Sequence, residues 1–370
     1  MNSLRLIEKD FSAFFRAPSE IDPQSLGISP LKQDLQRFLD PGKNPLFRST
    51  DDMTYFTAHR GDRVVGRILA HIHRSSNERH QVNQAYFGFF ECEDNQETAH
   101  ALLSAAERFA RAHGMTQIQG NMNMTAMQQM GVMTDGFDKA PYSDQVYSAA
   151  YLPKLLEAEG FSRFFPMSTF ELILKDYRQE LLITEKNAGA LSGKNIRIES
   201  ISKNRIQQGL ADARVVLNSG FDKNPFFVPV TPEEFYFQAK DLSWVIDPRI
   251  TTFAFQGDRA VGVAICIPDL NPLLKATKSK LSLATPWHYL QFRRNRKRAV
   301  IIYYSVVEDL HGQGIMAHVL NRTLLSLKES GYESVGMTWI ADENKSSLRQ
   351  MEKIGGVPMH KLHLFKKELQ

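Results

Sequence analysis

The residues with the clearest chemical meaning are two glycines, Gly312 and Gly314, in a short turn between a strand pattern and a helix pattern. The strand pattern is the β-branched and aromatic run at 299–305 (AVIIYYS), and the helix pattern at 318–330 places apolar residues on one face. Backbone N–H groups at the start of a helix are unpaired, and they point with the positive end of the helix dipole at the preceding turn. We therefore expect this turn to bind a ligand that carries phosphate.

The spacing of these glycines excludes two common phosphate motifs. No Gly-Lys-Ser/Thr follows the turn, as a P-loop requires, and the three-glycine dinucleotide fingerprint is incomplete. A strand–turn–helix unit without a ligand stays open as an alternative, because glycines are frequent in such turns for packing reasons alone.

The chain also contains an internal repeat. Residues 58–66 (AHRGDRVVG) recur as 254–262 (AFQGDRAVG), and each copy predicts a hairpin with a Gly-Asp turn. Further on, 101–115 and 319–332 each predict an amphipathic helix that ends at a glycine and leads into a strand. We infer two copies of one fold, at 1–178 and 195–370, with an insertion at 269–298 in the second copy.

The glycine turn occurs in the second copy and not in the first. In the first copy the strand pattern at 86–90 leads into ECEDNQE at 91–97, which is acidic and has no glycine. Carboxylates at that place would repel a phosphate, and we expect them to form the first turn of a helix instead. The cofactor is therefore assigned to the second copy, and the first copy is expected to serve as substrate wall and scaffold.

A segment rich in amides and methionine, 120–131, follows a strand of the first copy. Methionine is flexible and polarizable, which suits a wall for a long apolar chain, whereas the interleaved amides fit a core poorly. The candidate substrate-binding residues are Asn121, Asn123 and Met127, followed by Asp138 and Tyr142 in the next loop. Core packing of the methionines and solvated turn positions for the loop carboxylates are the alternatives.

Composition favours a soluble two-domain enzyme. The 370 residues are 42% hydrophobic, which is enough for two cores, and no apolar run is long enough to span a bilayer. The formal net charge of +4 is too small to indicate nucleic-acid binding. Cys92 and Cys266 have no partners at metal-ligand spacing, so we expect buried free thiols, no metal, and a cytoplasmic protein.

The insertion combines aromatic and basic residues. Three lysines (Lys275, Lys278 and Lys280) precede PWHYLQF at 286–292, and RRNRKR at 293–298 follows. Such a segment suits a peripheral contact with anionic lipid at the inner membrane, or a contact with an acidic acyl carrier protein. A solvated charged face and a contact with the cofactor's phosphates are the alternatives.

The order of elements around the glycine turn resembles the GNAT acyltransferase family. The turn HGQGIM at 311–316 stands where that family has Arg/Gln-x-x-Gly-x-Gly/Ala; Gly314 matches the central glycine, while His311 and Met316 depart from the pattern. A helix, a strand and a second helix opened by Asn344 follow in the family's order. Further stretches resemble a bacterial family of tandem-GNAT proteins, some relatives of which are implicated as ceramide synthases: FGFFE at 87–91, LLEAEGF at 155–161, PDLN at 268–271 and TWI at 338–340.

The resemblance implies a mixed α/β (α+β) fold of two tandem domains, each with a mainly antiparallel sheet flanked by helices. It implies acyl-CoA as cosubstrate, with the pyrophosphate at the turn and an amine attacking the thioester directly. The residues that it assigns to the cofactor are Val306, Val307, His311, Gly312, Gln313, Gly314, Ile315, Met316 and Asn344.

The resemblance also directs the choice of catalytic residues. Met351 stands where simple GNAT enzymes often have a tyrosine that acts as the general acid. The candidates to replace that tyrosine are Tyr303, Tyr304, His311 and Glu308. We select Tyr304 as acid, and Glu308 or a water chain that ends at Asp135 or Asp138 as base.

The acceptor stays open at this stage. A sphingoid-base-like or amino-lipid amine that receives a long fatty acyl group from CoA or an acyl carrier protein is the first hypothesis. The alternatives are an amino acid or small metabolite amine, an aminoacyl-tRNA, and a non-catalytic acyl-CoA sensor. The tRNA alternative predicts a coiled-coil arm and a continuous basic face, and the sequence shows neither.

Overall fold

A computed structural model of the chain describes residues 3–239 and 245–370. The chain divides into two compact units. The first consists of Met1–Met167, Asn271–Tyr289 and His360–Gln370, and the second of Ser168–Leu270 and Leu290–Met359. The first unit thus includes two segments, 271–289 and 360–370, that the sequence prediction assigned to the second domain.

The elements alternate along the chain in both units. The strands are β1 (Leu4–Glu8), β2 (Met53–Arg60), β3 (Arg63–His71), β4 (Gln84–Cys92), β5 (Gln117–Gly120), β6 (Val132–Asp135), β7 (Ser162–Ile173), β8 (Ile196–Ser200), β9 (Thr252–Gln256), β10 (Arg259–Pro268), β11 (Arg298–Val306), β12 (Ser334–Ala341) and β13 (Val357–Glu368). The helices are α1 (Phe11–Ile21), α2 (Lys32–Phe38), α3 (Arg74–His80), α4 (Gln96–Ala112), α5 (Leu152–Ala158), α6 (Glu185–Ala188), α7 (Ile206–Gly220), α8 (Pro232–Ala239), α9 (Asn271–Ala276), α10 (Thr285–Asn295), α11 (Ile315–Glu329) and α12 (Lys345–Ile354).

The two units repeat one strand order. In the first unit the order is β1-β2-β3-β4-β5-β13, with β4 and β5 parallel and the other pairs antiparallel. In the second unit β8, β9, β10 and β11 are antiparallel neighbours, β11 and β12 are parallel, and β7 lies next to β12. A helix connects the two parallel strands in each unit, α4 in the first and α11 in the second. The prediction of mixed, mainly antiparallel sheets flanked by helices is confirmed.

The repeated hairpins form as the Gly-Asp turns predict. Gly61 joins β2 to β3 with φ 62°, and Gly257 joins β9 to β10 with φ 60°. Both glycines have the left-handed backbone that a two-residue hairpin turn requires and that side chains with a Cβ rarely adopt.

The prediction that the acidic stretch 91–97 forms the first turn of a helix is wrong for most of that stretch. Helix α4 begins only at Gln96, because the Asn95 side chain accepts a hydrogen bond from the Thr98 N–H at 3.1 Å and caps the helix. Glu91 belongs to β4 instead, and Glu93 accepts a hydrogen bond from Arg60 at 2.8 Å.

Each unit has a core of its own. In the first unit, Leu102 and Leu103 of α4 pack with Phe87 of β4 and Phe365 of β13. In the second, apolar residues of α11 pack with β11 and β12, and Met351 of α12 is fully buried among them. Cys92 and Cys266 are buried free thiols, as predicted. No helix in the described ranges is both long and apolar enough to cross a membrane.

Candidate functional site

The predicted phosphate turn is a glycine-capped helix start in the second unit. Gly314 occupies the N-cap of α11 with φ 81°, and Gly312 has φ 73°. Because the cap residue has no side chain and the first turn of α11 has no acidic residue, the first backbone N–H groups of the helix face the turn without a competing side-chain acceptor of their own. This arrangement favours an anion.

One side of this turn is covered and another is open. A Cβ at Gly314 would lie 3.0 Å from the Asn187 Cβ and 3.1 Å from the Ala190 Cβ, so the segment that includes α6 packs against it. A Cβ at Gly312 would have no heavy atom within 4 Å. A ligand therefore has room to approach at Gly312.

The covering segment also brings a lysine to the turn. The Lys194 Nζ donates to the Gln313 Oε1 at 2.7 Å, and the His318 Nε2 donates to the Asn187 carbonyl at 2.9 Å. Lys194 places a positive charge beside the helix start, and sequence reasoning did not find it, since an isolated lysine outside any motif gives no signal.

The strand that precedes the turn, β11, pairs with its parallel neighbour β12 over only part of its length. The pairing runs from Arg298 and Ser334 to Ile301 and Met337, and the Thr338 hydroxyl then donates to the Ile302 carbonyl at 3.3 Å. Both strands continue beyond that contact, β11 to Val306 and β12 to Ala341. An extended ligand would enter between these strand ends.

These features fit the CoA group that the sequence implies. The diphosphate would contact the backbone of Gly312 to Met316, and Asn344 at the start of α12 would contact another part of the same ligand. The Asn344 side chain already caps α12, because its Oδ1 accepts from the Ser347 N–H at 3.1 Å. Among the described residues, no group of three or more His, Cys, Asp or Glu side chains is arranged to hold a metal ion.

Two groups near the end of β11, the Val307 N–H and the His311 side chain, already donate hydrogen bonds to backbone carbonyls. The Val307 N–H donates to the Val261 carbonyl at 2.9 Å, so Val306 is the stronger of the two candidates for binding the thioester carbonyl. The His311 Nε2 donates to the Val306 carbonyl at 2.7 Å. His311 therefore holds the turn against the strand end.

Tyr304 is the most distinctive of the predicted catalytic residues. Its hydroxyl is buried and has no hydrogen bond of good geometry within the described structure, although Ser347 of α12 lies beside it. Burial raises the pKa of Tyr304 to about 12, so the hydroxyl is protonated at neutral pH. A buried hydroxyl without a partner is costly, which is expected where a ligand completes the contact.

Glu308 lies in a different environment. It is exposed, and its Oε1 forms an ion pair with the Lys223 Nζ at 2.7 Å. An exposed ion pair of this kind contributes little stability.

The first unit closes the corresponding strand gap with its own side chains. The Asn123 Oδ1 accepts from the Phe89 N–H at 2.7 Å, and the Asn121 Oδ1 accepts from the Phe90 N–H at 3.0 Å. A Cβ at Gly88 would collide with the Met122 carbonyl. The N–H groups at the end of β4 are therefore occupied, which gives a structural reason, besides the missing glycine turn, for assigning the cofactor to the second unit.

The predicted substrate-binding residues of the first unit are distributed differently. Asn121 and Asn123 line a small, partly open cavity of about 100 Å³, together with the buried Arg67 and with Gln129. Met127 is buried, and Tyr142 is fully buried. The neighbouring methionines of the segment are buried too: Met122, Met124, Met130 and Met133. The structure thus brings the two asparagines to one cavity but does not place Tyr142 at its wall.

The two predicted loop carboxylates are exposed. Asp135 ends β6, and its Oδ1 accepts from the Gly136 N–H at 2.8 Å. Asp138 follows in the same loop and is exposed as well.

Sequence reasoning missed a third acid nearby, Asp144. It has φ 66°, in a loop held by hydrogen bonds between Tyr142 and Gln145 and between the Asn271 N–H and the Ser143 Oγ at 3.1 Å. The Asp144 residue is exposed to solvent, yet the dense protein around its carboxyl group raises the pKa of Asp144 to about 7 by desolvation. The tertiary surroundings that cause this shift leave no local signal in the sequence.

With this geometry established, the chain can be compared with known proteins. Residues 221–355 match the sequence profile of the acetyltransferase (GNAT) family. This part of the chain is similar to GNAT domains, and most of it belongs to the second unit. GNAT proteins generally use acetyl-CoA or acyl-CoA, and the match supports an acyltransferase.

Two relatives match along almost their whole length. A protein of Caulobacter vibrioides named bacterial ceramide synthase is 25% identical over 97% of this chain and 95% of the relative. Protein YghO of Escherichia coli K12 is 22% identical over 98% of this chain and 94% of the relative.

Solved structures share the fold of the chain. A tandem GNAT protein from the clavulanic acid biosynthesis pathway covers 100% of this chain and 99% of its own, with a TM-score of 0.57 and 10% identity. A GCN5-related N-acetyltransferase from Sphaerobacter thermophilus covers 99% and 96%, with a TM-score of 0.53 and 11% identity. The resemblance to tandem GNAT proteins is confirmed for the fold.

Proposed function

We propose that this protein is an N-acyltransferase that moves a long-chain fatty acyl group from a CoA or acyl-carrier-protein thioester to a primary amine of a sphingoid-base-like or amino-lipid acceptor. The observation that carries the donor half is the glycine-capped start of α11 at the end of a parallel strand pair that is joined over only part of its length. The acceptor half is supported by the full-length relative that is named a bacterial ceramide synthase.

Different residues of the second unit are proposed to bind the donor, orient its carbonyl group and protonate the leaving thiolate. The acyl thioester supplies an activated carbonyl carbon, and the backbone from Gly312 to Met316 holds the diphosphate of its carrier. The Val306 N–H is proposed to orient the carbonyl oxygen, as a fixed donor in a site that excludes water. Tyr304 holds a proton for the departing sulfur, because its raised pKa keeps the hydroxyl protonated at neutral pH.

An acceptor ammonium must lose a proton before it can attack. Glu308 and Asp135 were proposed as bases from the sequence, but Glu308 is engaged with Lys223 and Asp135 is exposed. We retain Glu308 as the first base to test, because it belongs to the same unit as the glycine turn.

The substrate-binding assignments in the first unit stay proposals. Asn121, Asn123, Met127, Asp138 and Tyr142 are the residues concerned, and the cavity lined by Asn121 and Asn123 is the first place to test. Arg67 is buried there and leaves its Nε without a hydrogen bond in the described structure, which suits an oxygen-bearing head group.

The test is a matrix of donors and acceptors. The purified chain is incubated with acyl-CoAs from acetyl to stearoyl and with sphinganine, small amines and amino acids, and release of free thiol is followed together with product mass. Thiol release that needs both a long acyl-CoA and a long-chain amine supports the proposal. Turnover with acetyl-CoA and a small amine instead overturns the lipid assignment.

A non-catalytic acyl-CoA sensor is the second candidate, and Met351 favours it. That residue is fully buried in the core, at the place where simple GNAT enzymes often have the tyrosine that acts as general acid. A methionine cannot donate a proton there. Tight CoA binding without transfer to any amine, from either CoA or an acyl carrier protein, would select the sensor.

A further inference from the structure

Large apolar side chains of the insertion are exposed to solvent in an unusual concentration. Within ten residues, Leu281 is 54% exposed, Leu283 is fully exposed, Trp287 is 59% exposed and Leu290 is 49% exposed. A contiguous exposed apolar patch on a folded protein marks a surface that contacts something else.

The chain just before these exposed apolar side chains is fixed by two hydrogen bonds at Ser279. The Ser279 Oγ donates to the Ser29 carbonyl at 2.7 Å, and the Lys32 N–H donates to the Ser279 carbonyl at 2.8 Å. Ser279 itself is buried, whereas the residues that follow it are exposed. The chain is therefore anchored immediately before the apolar side chains project.

Helix α10 continues the patch on one face. Trp287 and Leu290 are three residues apart, so they lie on the same side of the helix, and the exposed Arg294 follows one turn later. Phe292 points to the protein and is buried. The face that carries the apolar side chains thus ends in a positive charge.

Positive charges also border the patch on its other side. Lys275, Lys278 and Lys280 are exposed and precede Leu281, and Arg293 is exposed beside Arg294. The described segment from 275 to 294 contains no acidic residue. An apolar segment that is flanked along the chain by basic residues only is complementary to an anionic lipid surface.

We propose that this protein docks on anionic membranes through the segment 281–290, with Leu283, Trp287 and Leu290 in the acyl boundary and the flanking lysines and arginines at the headgroups. A fully exposed leucine beside an interfacial tryptophan suits insertion into a fluid layer, because it needs no preformed pocket in a partner. The docking stands independently of the proposed activity, since it rests on exposure and charge.

The experiment is co-sedimentation of the full chain with phosphatidylcholine vesicles that contain or lack phosphatidylglycerol. We expect binding to the anionic vesicles, weak binding to neutral vesicles, and loss of binding at high salt. The double variant Leu283→Ser with Trp287→Ser should bind at least about tenfold more weakly. The double variant Lys275→Gln with Lys278→Gln should lose roughly fivefold for each charge.

A matched control uses exposed apolar residues elsewhere. Val215 of α7 and Tyr236 of α8 are about half exposed, and their replacement by Ser should leave vesicle binding unchanged. Circular dichroism of every variant establishes that it is folded. Failure of the wild type to bind anionic vesicles, or equal binding by the Leu283/Trp287 variant, overturns the proposal. So does a result in which that variant loses turnover only with an acyl-carrier-protein donor, because the segment would then dock a protein.

Discussion

The position of the phosphate site can be tested at Gly312 with two nearly isosteric side chains. Gly312→Asp and Gly312→Asn both place a short side chain where no heavy atom lies within 4 Å of the new Cβ. Both residues tolerate the positive φ of 73° better than other side chains do. Their strain and volume are nearly equal, so the difference in CoA affinity between them isolates the effect of one negative charge.

The size of that difference follows from Coulomb's law. A carboxylate about 7 Å from one phosphate charge is repelled by roughly 0.6 kcal/mol at a dielectric constant of about 80, and by roughly 2.4 kcal/mol at about 20. For each phosphate charge, Gly312→Asp should therefore bind CoA roughly 3-fold to 60-fold more weakly than Gly312→Asn. The gap should shrink as salt is added.

Isothermal titration calorimetry with CoA measures the effect, and two controls frame it. Pantetheine lacks the diphosphate and should not distinguish the two variants. Gly331, with φ 82° and an equally open Cβ position, follows the far end of the same helix, roughly 20 Å away by helix length. Asp and Asn at that position should bind CoA alike. Equal CoA affinities for the two Gly312 variants would refute the placement of the diphosphate at this turn.

Further predictions concern the proposed acid Tyr304, the carboxyl group of Asp144 with its raised pKa, and Asn123 beside the end of β4. Tyr304→Phe should lower kcat at least about tenfold, with CoA affinity kept and stability changed by less than about 1 kcal/mol in urea denaturation, because it removes a buried hydroxyl that has no hydrogen bond of good geometry and only Ser347 beside it. A loss of stability without a loss of kcat would contradict this role. The pKa of Asp144 is raised on folding, so the folded state binds the extra proton, and its contribution to stability is present at acidic pH and is lost as pH rises through about 7. Asp144→Asn should therefore raise the Tm relative to wild type at about pH 8 and hardly change it at about pH 4; an equal Tm for the two proteins at about pH 8 would contradict the raised pKa. Asn123→Ala should cost about 1–3 kcal/mol in urea denaturation, because the Phe89 N–H loses its acceptor, and a cost below about 0.5 kcal/mol would show that water replaces the side chain.

Features that depend on a few neighbouring residues could be predicted from the sequence. The Gly-Asp hairpin turns, the glycine-capped helix after β11 and the free buried cysteines follow from local chemistry, and the structure contains them. The contact predicted for the insertion stays a prediction, and the structure shows Trp287 to be exposed and Phe292 to be buried.

Features that depend on residues far apart in the chain could not be predicted from the sequence. Asp144 acquires its raised pKa from the protein around it, and Lys194 reaches Gln313 across more than a hundred residues of chain. The acidic stretch after β4 was misjudged because the Asn95 side chain caps the helix, so that the helix begins after most of the acidic residues. The hydrogen bonds from backbone N–H groups of β4 to the side-chain oxygens of Asn121 and Asn123 also give no signal in the sequence, and the predicted substrate contacts of the two residues stay a prediction.

The strand order has a consequence for how this chain can fold during synthesis. The first unit is completed by β13, which pairs with β5 although more than two hundred residues separate them along the chain. While the ribosome makes those residues, the edge of β5 lacks its partner, and an unpaired strand edge is a site for wrong pairing with other chains. The part of the protein that is translated first is therefore among the last to close, and a nascent chain stalled before β13 should depend on chaperones until that strand emerges.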